Sequence, residues 1–162
     1  MAAWAATEVE ARTIVVHSTA DSGPGTLRQA LIDATNGDKI NIVARGTITL
    51  TSGELVVDKS VEVKRHGAHG LSVSGNGASR VFHIVPNVRV SIAGLTIENG
   101  RVNTAFSPFL SSAGGGIYSD HADLTVSNCI IRGNSAHFGG GIFSNSLGSG
   151  YASLKINSTT LS

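Results

Sequence analysis

The sequence predicts an all-β fold, a right-handed parallel β-helix (solenoid) of about five or six rungs with a short N-terminal capping helix. Three observations carry that expectation. First, the run GGGI occurs twice, at Gly114-Gly115-Gly116-Ile117 and Gly139-Gly140-Gly141-Ile142, with starts 25 residues apart. That spacing is too short for a domain and fits one turn of a solenoid. Second, VSIAGLTI (90–97), LTVSNCII (124–131) and LKINSTTL (154–161) align without a gap. Each reads inward, outward, inward, a two-residue bend, then inward, outward, inward, the period-two mark of strands buried on one face. Third, the 162 residues include 20 glycines and are 41% hydrophobic and 14% charged, which favours many tight turns over disorder.

The elements follow in chain order. Residues 1–12, MAAWAATEVEAR, are expected to form a flexible N-terminal segment. Its short apolar start is interrupted by Glu8, Glu10 and Arg12, so it lacks the basic and apolar regions of a secretory signal. No apolar run approaches the ~18 residues that span a bilayer, so no transmembrane segment is expected and the chain as given reads as soluble.

Residues 13–38 read as an N-terminal strand and the capping helix. Thr26-Leu27-Arg28-Gln29 is a capping-box pattern, and Leu27, Ala30, Leu31 and Ala34 form a narrow apolar stripe. Asn36-Gly37-Asp38 ends the helix, and Lys39-Ile40-Asn41-Ile42 opens a strand. Such a helix would cover strand edges that otherwise invite aggregation.

Residues 39–162 read as the rungs. Four side-chain ladders are predicted, with strands ~4.8 Å apart. They are Val90-Leu124-Leu154, Ile92-Val126-Ile156, Leu95-Cys129-Thr159 and Ile97-Ile131-Leu161. An earlier copy, Leu55-Val56-Val57 then Val61-Glu62-Val63, fits the same pattern with one extra residue at the turn. Bends fall at Ala93-Gly94, Ser127-Asn128 and Asn157-Ser158, where Gly and Asn tolerate a left-handed backbone. The GGGI glycines are read as structural corners before Ile117 and Ile142 turn inward. The last rung stops at Leu161-Ser162 and reads as incomplete. The chain is therefore expected to be a fragment of a longer solenoid, or to have that edge covered by another molecule.

Several functions are excluded at this level. A net charge of +1 leaves no electrostatic footprint for nucleic acid, and Lys64-Arg65-His66 with His69 reads as a solvated turn. GGGI lacks the following lysine and helix of a phosphate loop. Cys129, the single cysteine, reads as a small buried hydrophobe.

The segments STADSGPGTLRQALIDATNGDKINIV, ITLTSGELVVDKSVEV, LSVSGNGASRVFHI, VSIAGLTIENG and RGNSAHFGGGIF carry a family resemblance. They resemble the repeats of bacterial right-handed parallel β-helix surface proteins. The GGGI and GNSA elements look like those of the polymorphic outer-membrane protein and adhesin-like group, within the pectin-lyase-like fold. The resemblance covers roughly residues 13–162. Its motifs are turns and ladders, so it implies a fold and a secreted or cell-surface setting, and it transfers no catalytic residue. Members of that group usually carry a secretion signal, more rungs and a C-terminal anchor or translocator, and this sequence shows none of the three.

No residue set has the pattern of an active site. Asp21, Asp33, Asp38, Asp58, Glu62 and Glu98 stand alone along the chain. The densest polar group is Asp120-His121-Ala122-Asp123, with His137 one arc away. Asp120, His121 and Asp123 are weak candidates for a metal, and a solvated turn is the preferred reading. No metal or other cofactor is expected. His83 reads as a surface or core-adjacent histidine. Phe106, Pro108, Phe109 and Leu110 lie in an insertion between rungs and are the candidate binding loop. Aromatics total only 5%, and the sole tryptophan, Trp4, lies outside the repeats, which weighs against stacking-driven sugar recognition.

The function these features favour is a non-catalytic repeat module for adhesion or binding at a bacterial surface or outside the cell. Its partner would be a protein or carbohydrate surface ligand. Two alternatives stay open. One is a carbohydrate-active enzyme, a polysaccharide lyase or glycoside hydrolase, or a fragment of one. The other is a solenoid that self-associates through its uncapped C-terminal rung.

Overall fold

The computed structural model describes residues 10–65, 70–102, 112–148 and 150–162. Fifteen strands and one helix follow one another among them. They are β1 (Thr13–Val16), α1 (Leu27–Asp33), β2 (Lys39–Ile42), β3 (Gly46–Thr49), β4 (Leu55–Val57), β5 (Glu62–Arg65), β6 (Leu71–Ser74) and β7 (Phe82–Ile84). Next come β8 (Arg89–Ala93), β9 (Thr96–Glu98), β10 (Ile117–Asp120), β11 (Asp123–Ser127), β12 (Ile130–Arg132), β13 (Ile142–Asn145), β14 (Ser153–Asn157) and β15 (Thr160–Leu161). From β2 onward, every third strand joins the same sheet, and β1 adds to the first sheet beside β2. The first sheet has the order β1-β2-β5-β8-β11-β14, the second β3-β6-β9-β12-β15, and the third β4-β7-β10-β13. The pairings between neighbours are parallel. The chain is thus an all-β solenoid of about five turns with three parallel sheets.

Register confirms the predicted ladders. Leu124 faces Val90 on one side and Leu154 on the other, and Val126 lies between Ile92 and Ile156. Ile131 is flanked by Ile97 and Leu161. Leu95 and Cys129 occupy equivalent corners, their carbonyls accepting from Ile130 and Thr160 on the next turn. Cys129 is buried, and its thiol donates to the carbonyls of Ser127 and Ile92. Burial of these aligned aliphatic rows supplies the core, because no single turn has an apolar partner of its own.

One predicted alignment is out of phase. Leu55-Val56-Val57 pairs with Phe82-His83-Ile84 in the third sheet, and Val63 pairs with Ile92 in the first. The motif 55–63 therefore crosses from the third sheet to the first, whereas 90–97 crosses from the first to the second. Both corners join two inward-outward-inward strands through a short bend. Periodicity alone cannot tell them apart.

Corner residues have the expected backbone. Gly94, Asn128 and Ser158 share a left-handed conformation, with φ of 76°, 51° and 46°. Gly114 and Gly139 are also left-handed, at 66° and 56°. The two GGGI runs stack directly, Gly116 and Ile117 donating to the carbonyls of Gly140 and Gly141 at 2.9 Å each. A Cβ on Gly115 would sit 2.7 Å from the Gly140 oxygen, and one on Gly116 would collide with the Gly141 oxygen. At Gly115 and Gly116 the next turn's backbone leaves no room for a side chain.

The N-terminal end is covered. Thr26 caps α1, its hydroxyl accepting the Gln29 N–H at 3.2 Å, and Leu27, Ala30 and Leu31 are buried. The helix stops at Asp33, with Ala34 as its C-cap, and packs against β1, β2 and β4. Asp21 accepts the Thr51 and Ser52 N–H groups, and Arg28 donates to the Gly53 and Glu54 carbonyls. Side chains thus satisfy backbone that has no preceding strand. Burial raises the Asp21 carboxyl pKa, but the bonds from Arg28, Ser52 and Thr51 outweigh it and hold the group well below the usual carboxylate range.

At the opposite end the inward rows emerge into solvent. Leu124 is 1% exposed, whereas Leu154 is 38%, Ile156 41% and Leu161 50% exposed.

Candidate binding groove

The corners that lead into the first sheet build a groove of about 770 Å³. Gly37 precedes β2, Ser60 and Val61 precede β5, Asn87 and Val88 precede β8, His121 precedes β11, and Gly150 and Tyr151 precede β14. The groove therefore runs along the stacking direction, across five consecutive turns. At ~4.8 Å per turn, that is a length of about 19 Å. Its walls set charged and polar side chains beside apolar surface from Val61 and Val88. Arg89 and Asp123 lie 3.6 Å apart, and Asp123 also accepts from the Ser153 hydroxyl at 2.9 Å. Glu62 contributes a carboxylate, and Tyr151, 94% exposed, stands at one end.

His121 forms part of the wall near Tyr151. Its Nδ1 lies 2.6 Å from Asp120 Oδ1 and its Nε2 lies 2.6 Å from the Leu147 carbonyl oxygen. Asn145 donates from Nδ2 to the same Asp120 oxygen at 2.8 Å, and accepts the Leu147 N–H on Oδ1 at 3.1 Å. The Leu147 carbonyl and then the Asp120 carboxylate raise the His121 pKa. Tyr118, behind this group, has its hydroxyl pKa raised by burial and by the Asp120 charge.

A second network lies on the outer side of the third sheet. Glu54 bridges His83 Nδ1 and Arg80, each at 2.9 Å. Arg80 is buried and donates to the carbonyls of Ala113 and Gly114, pinning the first GGGI corner. The His83 and Tyr118 ring centres are 5.2 Å apart, and those of Tyr118 and Phe143 are 5.9 Å apart. Burial raises the Glu54 pKa, but the His83 bond and the Arg80 charge outweigh it, so its carboxyl lies below its ordinary value. The sequence held a signal for this ring stack: Tyr118 and Phe143 each follow the isoleucine of a GGGI run, and they are register partners.

Of the residues singled out from sequence, Asp120 and His121 meet directly. Asp123 lines the same groove but bonds Ser153 and lies near Arg89 instead. His137 packs edge-on against Phe138, and its N–H bonds the Ser112 carbonyl. Phe106, Pro108, Phe109 and Leu110 lie outside the described residues, as do Trp4, His66 and His69. Gly114–Ile117 and Gly139–Ile142 form the stacked corners given above. Among the described residues, no three His, Cys, Asp or Glu side chains gather as a metal site, and no helix is long and apolar enough to cross a membrane. Sequence reasoning missed Arg89 and Tyr151 as groove residues. The irregular turn lengths that separate them hide their common face.

Fold and groove together define a parallel β-solenoid with a channel along one corner. No protein-family model, curated protein or solved structure matches the chain.

Proposed function

We propose that the chain is a non-catalytic binding module that holds an extended, hydroxyl-rich polymer, a glycan chain, in the groove along its corners. The supporting observation is the shape and lining of that groove: four successive turns contribute Ser60, Glu62, Arg89, Asp123 and Tyr151 to one channel along the stacking direction. Carboxylates and guanidinium groups hydrogen-bond neighbouring hydroxyls in pairs, and an exposed tyrosine ring offers a face for a sugar ring to stack on. A peptide would be a poorer occupant. The groove crosses the strands, so it presents no free strand edge for backbone pairing. Adhesion at a bacterial surface or outside the cell is the setting in which such a module would act.

Affinity electrophoresis through gels containing neutral glucans, mannans or polyuronates, with and without calcium, tests this reading. Retardation by at least one polymer is expected, and Tyr151→Ala and Arg89→Ala should each weaken it by about 1–2 kcal/mol. No retardation across the panel would overturn the reading. Steady release of unsaturated or reducing-end products would assign a lyase or hydrolase instead.

One observation favours a second reading, self-association. Leu154, Ile156 and Leu161 present a row of exposed apolar side chains at one end of the solenoid, while α1 covers the other. Sedimentation velocity over a hundredfold concentration range separates the two. A strict monomer would count against end-to-end assembly.

A further inference from the structure

We propose that His121 is a pH-dependent latch that holds Leu147 and, against its ring, Gly150, which with Tyr151 lines the groove. Its consequence for ligand rests on the binding reading above, and the latch itself does not. Both partners of the imidazole, the Asp120 carboxylate and the Leu147 carbonyl, accept hydrogen bonds, and each is 2.6 Å away. A neutral imidazole carries one N–H and serves one acceptor, whereas an imidazolium serves both. The observed geometry is that of the protonated ring.

Leu147 is gripped from two sides. Its carbonyl faces His121, and its N–H donates to Asn145, which is itself bonded to Asp120. Leu147, His121, Asp120 and Asn145 thus close a ring of hydrogen bonds. Gly150 lies directly against the imidazole, where a Cβ would collide with the ring, and Tyr151 follows in the groove wall.

The charged and titratable groups around His121 come from several elements. Asp120 and Tyr118 lie on β10, Asp123 on β11, Arg89 on β8, and Tyr151 just before β14. Arg89 is paired with Asp123, and of this set Asp120 bonds the imidazole. From the preceding corner, the Asn87 N–H donates to the His121 carbonyl and brings no charge.

When the ring loses a proton, the remaining N–H stays with Asp120, the stronger acceptor. Nε2 then turns a lone pair on the Leu147 oxygen, and the wall is released. The sign follows from the raised pKa of the latched form. The latch is fully closed below the ordinary histidine value of about 6.5 and opens as pH rises through the higher latched value.

Imidazole NMR of the ligand-free chain from pH 5 to 9, with amide exchange of Leu147, tests the latch. His121 should titrate above about 6.5, and Leu147 protection should fall as pH rises across its midpoint. His121→Asn keeps the left-handed corner, which asparagine tolerates, and should make the Leu147 and Tyr151 signals independent of pH. Asp120→Asn should lower the His121 midpoint. A His121 that titrates at or below the ordinary value, or Leu147 protection equal at both extremes, would overturn the latch. Gel retardation by a retained glycan should be weaker at about pH 9 than at about pH 6, and level in His121→Asn. Absence of glycan binding sinks the binding reading alone. Glycan binding that ignores pH sinks the latch's hold on the groove.

Discussion

Asn134 closes the corner of the turn beneath it by taking both backbone groups of that corner. Its Oδ1 accepts the Gly100 N–H at 2.8 Å, and its Nδ2 donates to the Ile97 carbonyl at 2.9 Å. The asparagine of the GNSA element is therefore a clamp between successive turns, placed at the end of the second sheet's β9–β12 ladder.

Asn134→Ala removes both bonds, and loss of the acceptor for the partly buried Gly100 N–H alone costs about 1–3 kcal/mol. The substitution is expected to lower stability by about 2 kcal/mol, read from the urea midpoint at constant m-value. Asn134→Asp keeps the acceptor and loses the donor, so it should fall between the two. A midpoint unchanged by Asn134→Ala would mean that water replaces the clamp.

Much of the fold was legible because each ladder is a row of aliphatic residues repeated in register. The alignment of 90–97 with 124–131 and 154–161 needed no knowledge of the sheets. Which corner a motif occupies was not legible, and 55–63 shows why. Both kinds of corner bury alternate residues around a short bend, and pairing distinguishes them. The groove was hidden for a different reason. Equivalent positions lie 23 residues apart between Lys39 and Glu62 but 34 apart between Ser91 and Thr125, so corner residues fall into no fixed period. Asp120 and His121 stood out as a polar pair. Their partners, Asn145 and the Leu147 carbonyl, come from the next turn, which no local window contains.

Asp38 gives the N-terminal cap an acid sensitivity. Its carboxylate accepts the Thr35 N–H at 2.9 Å, the Arg12 guanidinium at 2.9 Å, the Arg12 N–H and the Thr35 hydroxyl. Those bonds, the Thr35 N–H foremost, hold its pKa well below the ordinary value against the cost of burial. A depressed carboxyl contributes stability that is complete above the unfolded-state pKa of about 3.9 and is lost as pH falls toward the folded value. Urea midpoints are therefore expected to hold steady near neutrality and decline below about pH 5. Asp38→Asn should lower the neutral-pH midpoint and flatten the acid decline. An identical acid slope in that variant would place the sensitivity on other carboxylates.

Leu124 and Leu154 occupy the same ladder on neighbouring turns, and they provide a test of whether the exposed end is covered in solution. Leu124 is fully enclosed by the rows above and below, so Leu124→Ala should cost about 2–5 kcal/mol through lost transfer energy and a residual cavity. Leu154 has a neighbour on one side and is 38% exposed, so the same truncation there removes less buried surface and leaves an opening to solvent instead of a cavity. Its cost for the isolated chain is expected to be less than half as large. If copies associate end to end, the two truncations converge at high protein concentration, because association buries Leu154 as fully as Leu124. Paired urea titrations at micromolar and submillimolar protein read the difference directly. A gap that persists at both concentrations describes a solenoid whose last apolar row stays in water.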